Sequence, residues 1–342
     1  MGEGGRAEGP LTPGAAGLPP YAAAMRVCLM VEGQEGVSWD EWAALADTCE
    51  RSGLEGLFRS DHYLSVFGGA DRGTLDAWAT LAALATRTSR IRLGALVSPV
   101  GFRHPAQLAK VVATVDHVSG GRVELGLGAG WYEAEHRSFG FPFPGIAERM
   151  ELLEEQLEIV TRLWSGETVD FEGRHYRLEG CRSEPRPLQQ PRPPILLGGR
   201  AGPKAARLAA RYADEYNAGY VPFEEVVARH ARVRAACEEA GRDPATMATS
   251  VMTVCVVGRD RAELLERIRA VQAVTGRLDE DPEAVLAAGA GTWIAGTVEE
   301  VVEQLRHLEG LGVQRAFLQH LAHRDLDMVE LIGAEVVPAV SG

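Results

Sequence analysis

Ile91-Arg-Leu-Gly-Ala-Leu-Val-Ser-Pro-Val-Gly-Phe-Arg-His-Pro105 and, after a helical stretch, Gly120-Gly-Arg-Val-Glu-Leu-Gly-Leu-Gly-Ala-Gly-Trp-Tyr-Glu-Ala-Glu135 decide the fold of this chain. Ile91–Val97 and Val123–Leu127 are short apolar runs, the pattern of strands covered on both faces. Pro105 suits a first helical position, where its missing amide leaves nothing unpaired. Ala109, Val112, Ala113 and His117 then fall on one face, and Ser119-Gly120-Gly121 stops the helix. The result is one strand–helix–strand unit. Each strand runs at its carboxyl end into Gly, Ser, Pro or Trp, where a parallel α/β fold keeps its chemistry.

The same alternation extends in both directions. Arg26–Val31 reads as the first strand. Ser38 with Glu41 forms a capping box, with Val37 and Trp42 as a hydrophobic staple, and opens a helix ending at Gly53. Leu54–Phe58 reads as the second strand and leads into Ser60-Asp61-His62-Tyr63, and a helix is expected over Leu75–Thr86. A glycine- and aromatic-rich loop (Gly128–Pro144) precedes a long helix whose buried stripe is Ile146, Met150, Leu153, Leu157, Val160 and Trp164. Val169–Leu178 reads as a hairpin insertion about Glu172-Gly173 that lies away from the catalytic face, which makes His175 and Tyr176 structural. Further strands are expected at Pro194–Leu197, Asp214–Tyr220, Ser250–Val257 and Ala316–Gln319, with an irregular extra at Gly276–Gly296. Thr297 with Glu300 opens another capped helix, which would place Thr292-Trp293-Ile294 near the catalytic face. Eight strand–helix repeats give a (β/α)8 TIM barrel with insertions.

With 342 residues, 46% of them hydrophobic, the chain has ample material for one large barrel, expected over residues 25–340. No apolar run reaches membrane-spanning length. A net charge of −13 argues against a nucleic-acid surface, so any phosphate site must be a local device. The five cysteines are widely spaced with no Cys-x-x-Cys, the usage of a reduced, cytoplasmic protein. Residues 1–24 are mostly Gly, Ala and Pro without the apolar core of a signal peptide, and read as a disordered tail before Met25.

Strand ends supply the candidate chemistry. His62 can exchange protons near neutral pH, with Asp61 expected to fix its tautomer. Glu32, after the first strand, can orient a ring or cap a turn. Metal-ligand spacing such as His-x-His is absent, so no metal site is expected. Asp116 is expected to tie down Arg122. Gly198-Gly199-Arg200 joins a strand to a helix, where bare amides and the helix dipole meet, the physics of a phosphate site. Gly126-Leu-Gly-Ala-Gly-Trp131 departs from the dinucleotide fingerprint by the position of its third glycine. Small residues with Trp131 beside them suit the approach of a planar, flavin-type ring.

Gly94–Pro105, Ser119–Arg122, Gly126–Trp131 with Glu135, and Ile195–Gly199, in this order, resemble the bacterial luciferase-like monooxygenase superfamily. Within it, the chain looks most like the deazaflavin-dependent oxidoreductases that use coenzyme F420. The resemblance covers Arg26 to Val337 and implies a TIM barrel, usually a homodimer, with the cofactor ring at the carboxyl ends of the strands. It places Glu32, Asp61 and His62 beside the ring, and Leu96-Val97-Ser98 at a third-strand bulge, often a non-proline cis peptide. Gly130, Trp131 and Glu135 fall in the cofactor loop, and Gly198, Gly199 and Arg200 in the phosphate loop. Many flavin-using members carry serine where Arg200 stands.

The implied activity is hydride transfer between deazaflavin C5 and a small organic substrate, with His62, Asp61 and Glu32 catalytic. An FMNH2- and oxygen-dependent two-component monooxygenase, fed by a flavin reductase, is the alternative. A non-catalytic flavin-binding protein is the third reading.

Overall fold

The barrel forms as the strand–helix repeats require, in a computed structural model that describes residues 24–68 and 71–341. The tail expected over residues 1–24 falls, apart from Ala24, outside the described residues. In chain order the strands are β1 (Arg26–Val31), β2 (Gly56–Arg59), β3 (Arg92–Pro99), β4 (Val123–Gly128), β5 (Val169–Glu172) and β6 (Arg177–Cys181). They continue with β7 (Ile195–Gly198), β8 (Glu215–Gly219), β9 (Ala248–Gly258), β10 (Ile294–Thr297) and β11 (Arg315–Gln319). Parallel pairing runs β1-β2-β3-β4-β7-β8-β9-β11, and β11 returns to β1, so these eight strands close into a barrel. Register pairs Met30 with Gln319, Val31 with Arg59, and Arg59 with Ala95. Glu32, the Asp61-His62 step and the Leu96–Ser98 segment therefore leave the barrel at one end.

The β3–β4 pairing slips between Ala95 and Ser98, and the Leu96–Val97 peptide within the slip is cis, as the family resemblance implies. The bulge explains two glycines of β4. A Cβ on Gly126 would lie 2.0 Å from the Ala95 carbonyl oxygen, and one on Gly128 would lie 2.7 Å from Val97 Cγ2. These glycines admit the neighbouring strand, whereas the sequence reading gave that space to a cofactor ring.

Local signals place most helices. Both expected capping boxes are formed, Ser38 with Glu41 and Thr297 with Glu300. The helix Pro105–Ser119 ends at Gly120 with φ 68°, in the left-handed region where glycine carries no Cβ penalty.

Several expectations are corrected. The Gly128–Pro144 loop contains a short helix, Glu133–Phe139. Ile146 is exposed, because the helix Ile146–Ser165 projects its first turn beyond the core. His117 is exposed, whereas Asp116 beside it is buried and accepts bonds from the Leu188 and Gln189 amides and from Gln189 Nε2. Arg122 instead bonds the Ala85, Thr88 and Ile91 carbonyls. The β5–β6 hairpin runs back along the long helix. Tyr176 there accepts a bond from Gln156 Nε2, which also donates to the Val100 and Arg103 carbonyls at the catalytic end of β3. The insertion thus braces a catalytic-face loop. The irregular extra contains the helix Pro282–Gly289 and β10, which pairs with the far end of β9. Trp293 packs against Gly289 in an outer groove with Phe223, Leu286 and His307. Among the described residues no helix is long and apolar enough to cross a membrane.

Inside the barrel, Cys28, Met30, Phe58, Leu96, Leu196 and Phe317 form an apolar layer. Below it, at the amino-terminal ends of the strands, Arg26, Arg92 and Arg315 face Glu55, Glu124 and Glu215. Arg315 is the hub. Its guanidinium lies 2.8 Å from Glu124, 3.1 Å from Glu215 and 2.9 Å from Glu55, and stacks over Phe58 and Phe317 at 4.9 and 4.8 Å. Burial opposes ionisation of Glu124, but Arg315 and Arg92 win and hold its pKa below the usual carboxylate range. Glu215, where burial dominates, is raised. Removing one member of such a cluster strands buried charge. Arg315→Met is expected to lower stability by about 3–5 kcal/mol, read as the midpoint shift of urea unfolding followed by circular dichroism.

Candidate active site

His62 stands three residues past the end of β2, at the barrel's carboxyl-terminal mouth. Its Nδ1 lies 2.7 Å from Glu135 Oε1, while Glu135 Oε2 accepts the Tyr63 amide at 3.0 Å. Glu135 is fully buried in the first turn of the helix Glu133–Phe139, where the amino-terminal end of the helix dipole favours a carboxylate. Gly130, with φ 76°, turns the chain out of β4 ahead of the aromatic pair that flanks the histidine. Trp131 meets the imidazole edge-on at 5.6 Å and stacks on Tyr132 at 5.3 Å. Trp131 remains 62% exposed, an unusual cost for so large an apolar ring unless something covers it. Burial alone would depress the His62 pKa. The Glu135 bond and charge, with smaller contributions from Glu32 and Asp61, outweigh burial and raise it above its ordinary value.

Asp61 was expected to orient His62, and the structure gives that place to Glu135. The Asp61 carboxylate, 1% exposed, accepts bonds from Ser98 Oγ at 2.6 Å and Arg103 at 2.5 Å. Arg103 reaches on to Asp76 at 2.7 Å, and Trp78 Nε1 donates to Ser98 Oγ at 3.0 Å. The reason is geometric: Asp61 points toward β3, where the Ser98 hydroxyl and the Arg103 guanidinium lie. Ser98 is therefore committed to this network, Leu96 lies in the barrel interior, and Val97 is part-exposed beside it.

Glu32 follows β1, the strand next to β2. One of its oxygens accepts Gln34 Nε2 at 2.8 Å, and the other takes Gln319 Nε2 and the Tyr220 hydroxyl. Tyr220 has φ 52°, a left-handed conformation costly for a residue with a side chain. Nearly half its surface is exposed, yet its hydroxyl end points inward, and burial beside Glu32 holds the phenol protonated well above its usual range. Tyr220, Gln319 and Arg103 were missed in the sequence. Their signal was available, because Tyr220 and Gln319 end expected strands and Arg103 lies inside the stretch that decided the fold.

Gly198, Gly199 and Arg200 lie on the opposite side of the mouth, at the end of β7. Part of the amide set counted there is already used: Gly199 N donates to Asn217 O at 3.2 Å and Ala201 N to Tyr216 Oη at 2.8 Å. The helix Pro203–Tyr212 begins at Gly202 with no side-chain cap, so its first-turn amides point outward. Arg200 is exposed, and Arg232 reaches the Arg200 carbonyl from a neighbouring helix. Lys204 is paired with Glu154 at 2.9 Å. An anion fits this uncapped helix start.

The sequence model for luciferase-like monooxygenases matches residues 23–315. The chain belongs to the luciferase-like monooxygenase family. It is 31% identical to an F420-dependent hydroxymycolic acid dehydrogenase of Mycobacterium tuberculosis over 71% of this chain and 66% of that relative. It is 30% identical to an FMNH2-dependent dimethylsulfone monooxygenase of Pseudomonas putida over 79% of this chain and 75% of that relative. Among solved structures, the monooxygenase RslO1 of Streptomyces bottropensis superimposes with a TM-score of 0.79 at 25% identity, covering 92% of this chain and 99% of that one.

The Asp61 network has a structural consequence. Asp61→Asn is expected to leave Arg103 a buried, half-paired cation and to lower unfolding free energy by about 3 kcal/mol, measured by chemical denaturation. A variant as stable as the parent would count against this placement.

Proposed function

We propose that this chain is an F420-dependent oxidoreductase that moves a hydride between a deazaflavin and a small organic substrate. As a member of its family it is an oxidoreductase, and its relatives use either a deazaflavin or a flavin. The observation that carries the F420 reading is the His62–Glu135 pair beside Glu32 at one mouth. When bound, the deazaflavin would give or take a hydride at C5, chemistry that needs a proton carrier close to the substrate. His62 is that carrier. The Leu96-Val97 bulge and Gly130-Trp131 would bound the ring, and the helix start at Gly198–Arg200 would hold its phosphate. Glu32, held by its donors Gln34, Gln319 and Tyr220, orients the mouth. Asp61 acts through architecture. We further propose a homodimer supplied with reduced cofactor by a separate reductase.

An FMNH2-dependent monooxygenase is the second reading, favoured by the similarity to the dimethylsulfone enzyme. Fluorescence titration with F420 and FMN separates the two. The F420 reading expects tighter F420 binding, and FMN binding with none of F420 would overturn it. In the F420 case His62→Ala is expected to remain folded at lower stability, since buried Glu135 loses its partner, and to keep most cofactor affinity, because the phosphate is held elsewhere. Its turnover should fall about a hundredfold or more. Near-normal turnover would remove His62 from the chemistry.

A further inference from the structure

We infer that Glu135 is a positioning residue that locks the His62 proton on Nδ1, leaves Nε2 as the one proton-exchanging atom, and makes His62 an acid. The inference rests on the reading of His62 as proton carrier. The carboxylate lies 2.7 Å from Nδ1, and its second oxygen is fixed by the Tyr63 amide at 3.0 Å. Glu135 has no exposed surface, so water does not compete for either oxygen. A carboxylate in that position is an acceptor only, which keeps Nδ1 in its N–H form in both charge states of the ring. The imidazole keeps 12% of its side-chain surface exposed, and Nε2 is the nitrogen outside the pair.

The charged groups facing the ring favour its cation. Glu135 faces it from the helix after β4, Glu32 from the end of β1, and Asp61 from its own loop, while Arg103 is spent on Asp61 and Asp76. The Glu135 bond and charge therefore favour the charged ring over the neutral one and move the balance toward the ion pair. Because the folded-state pKa lies above the unfolded one, the pair contributes stability in full below the ordinary value of 6.5 and loses it as pH rises through the folded value.

The imidazolium form, with its proton on Nε2, selects its substrate class. It suits an acceptor with a polar double bond to oxygen or nitrogen, which takes a hydride on carbon from the reduced deazaflavin. The C–H bond forms as the π bond breaks, and its electron pair moves to the heteroatom. The heteroatom takes the Nε2 proton, leaving an alcohol or amine, an oxidised cofactor and a neutral histidine that recovers its proton from water. Trp131, exposed against the ring of His62, would cover such an acceptor's apolar body.

The test is a 15N NMR titration of histidine-labelled protein, with His62 assigned from the spectrum of His62→Ala. The parent is expected to keep Nδ1 protonated throughout and to titrate at Nε2 above 6.5. In Glu135→Gln, burial is left without its main opponent and the titration is expected to fall below 6.5. An unchanged titration in Glu135→Gln, or a parent whose Nδ1 titrates, overturns the inference. If Glu135→Gln does not fold, the parent's tautomer decides it alone. These readings need no cofactor. A locked Nδ1 in protein that binds no F420 therefore sinks the F420 reading and leaves the positioning role of Glu135 standing.

Discussion

Arg315 closes the lower end of the barrel. A parallel barrel brings the first residues of all its strands toward one axis, and in this chain several of those residues are charged. The arrangement is tolerable because Arg26, Arg92 and Arg315 interleave with Glu55, Glu124 and Glu215, and because Arg315 stacks on Phe58 and Phe317 just above. One guanidinium touches groups from β4, from β8 and from the turn before β2. A shift of any one strand along its neighbour would separate it from a partner, so the cluster fixes register as well as charge. The catalytic end inherits that register: Glu32, His62 and Leu96–Ser98 are neighbours because the strands beneath them cannot slide.

The upper end uses buried carboxylates for three different purposes. Asp61 is saturated by Ser98 and Arg103 and holds the β2 and β3 loops together. Glu32 is saturated by amide and phenol donors, which keep it in place. Glu135, of the three, is the one hydrogen-bonded to the His62 imidazole. The side chains are chemically alike, and their donors decide what each can do. Glu35 follows the same logic further out, binding Ser65, Val66 and Arg72 to tie down the loop beyond His62.

The two glycines Gly126 and Gly128 show how one sequence pattern can carry the wrong meaning. Small residues after a strand look like room for a ligand. Here the Ala95 carbonyl and the Val97 side chain occupy that room, because β3 bulges toward β4. Gly130, beyond the strand, is the one that turns the chain toward the mouth.

Sequence by itself determined the repeating architecture, since buried parallel strands, capping boxes and glycine stops are written within a few residues of one another. It also determined that His62, Glu32 and the Gly198–Arg200 loop lie at strand ends, because a barrel puts every βα junction on one face. Tertiary structure alone decided who partners whom. Adjacency made Asp61 the natural partner of His62, yet consecutive residues leaving a strand point to opposite sides. Glu135, 73 positions along the chain, folds back through its short helix to take the imidazole. Tyr220 and Gln319 joined Glu32 in the same way, across strands that meet only when the barrel closes.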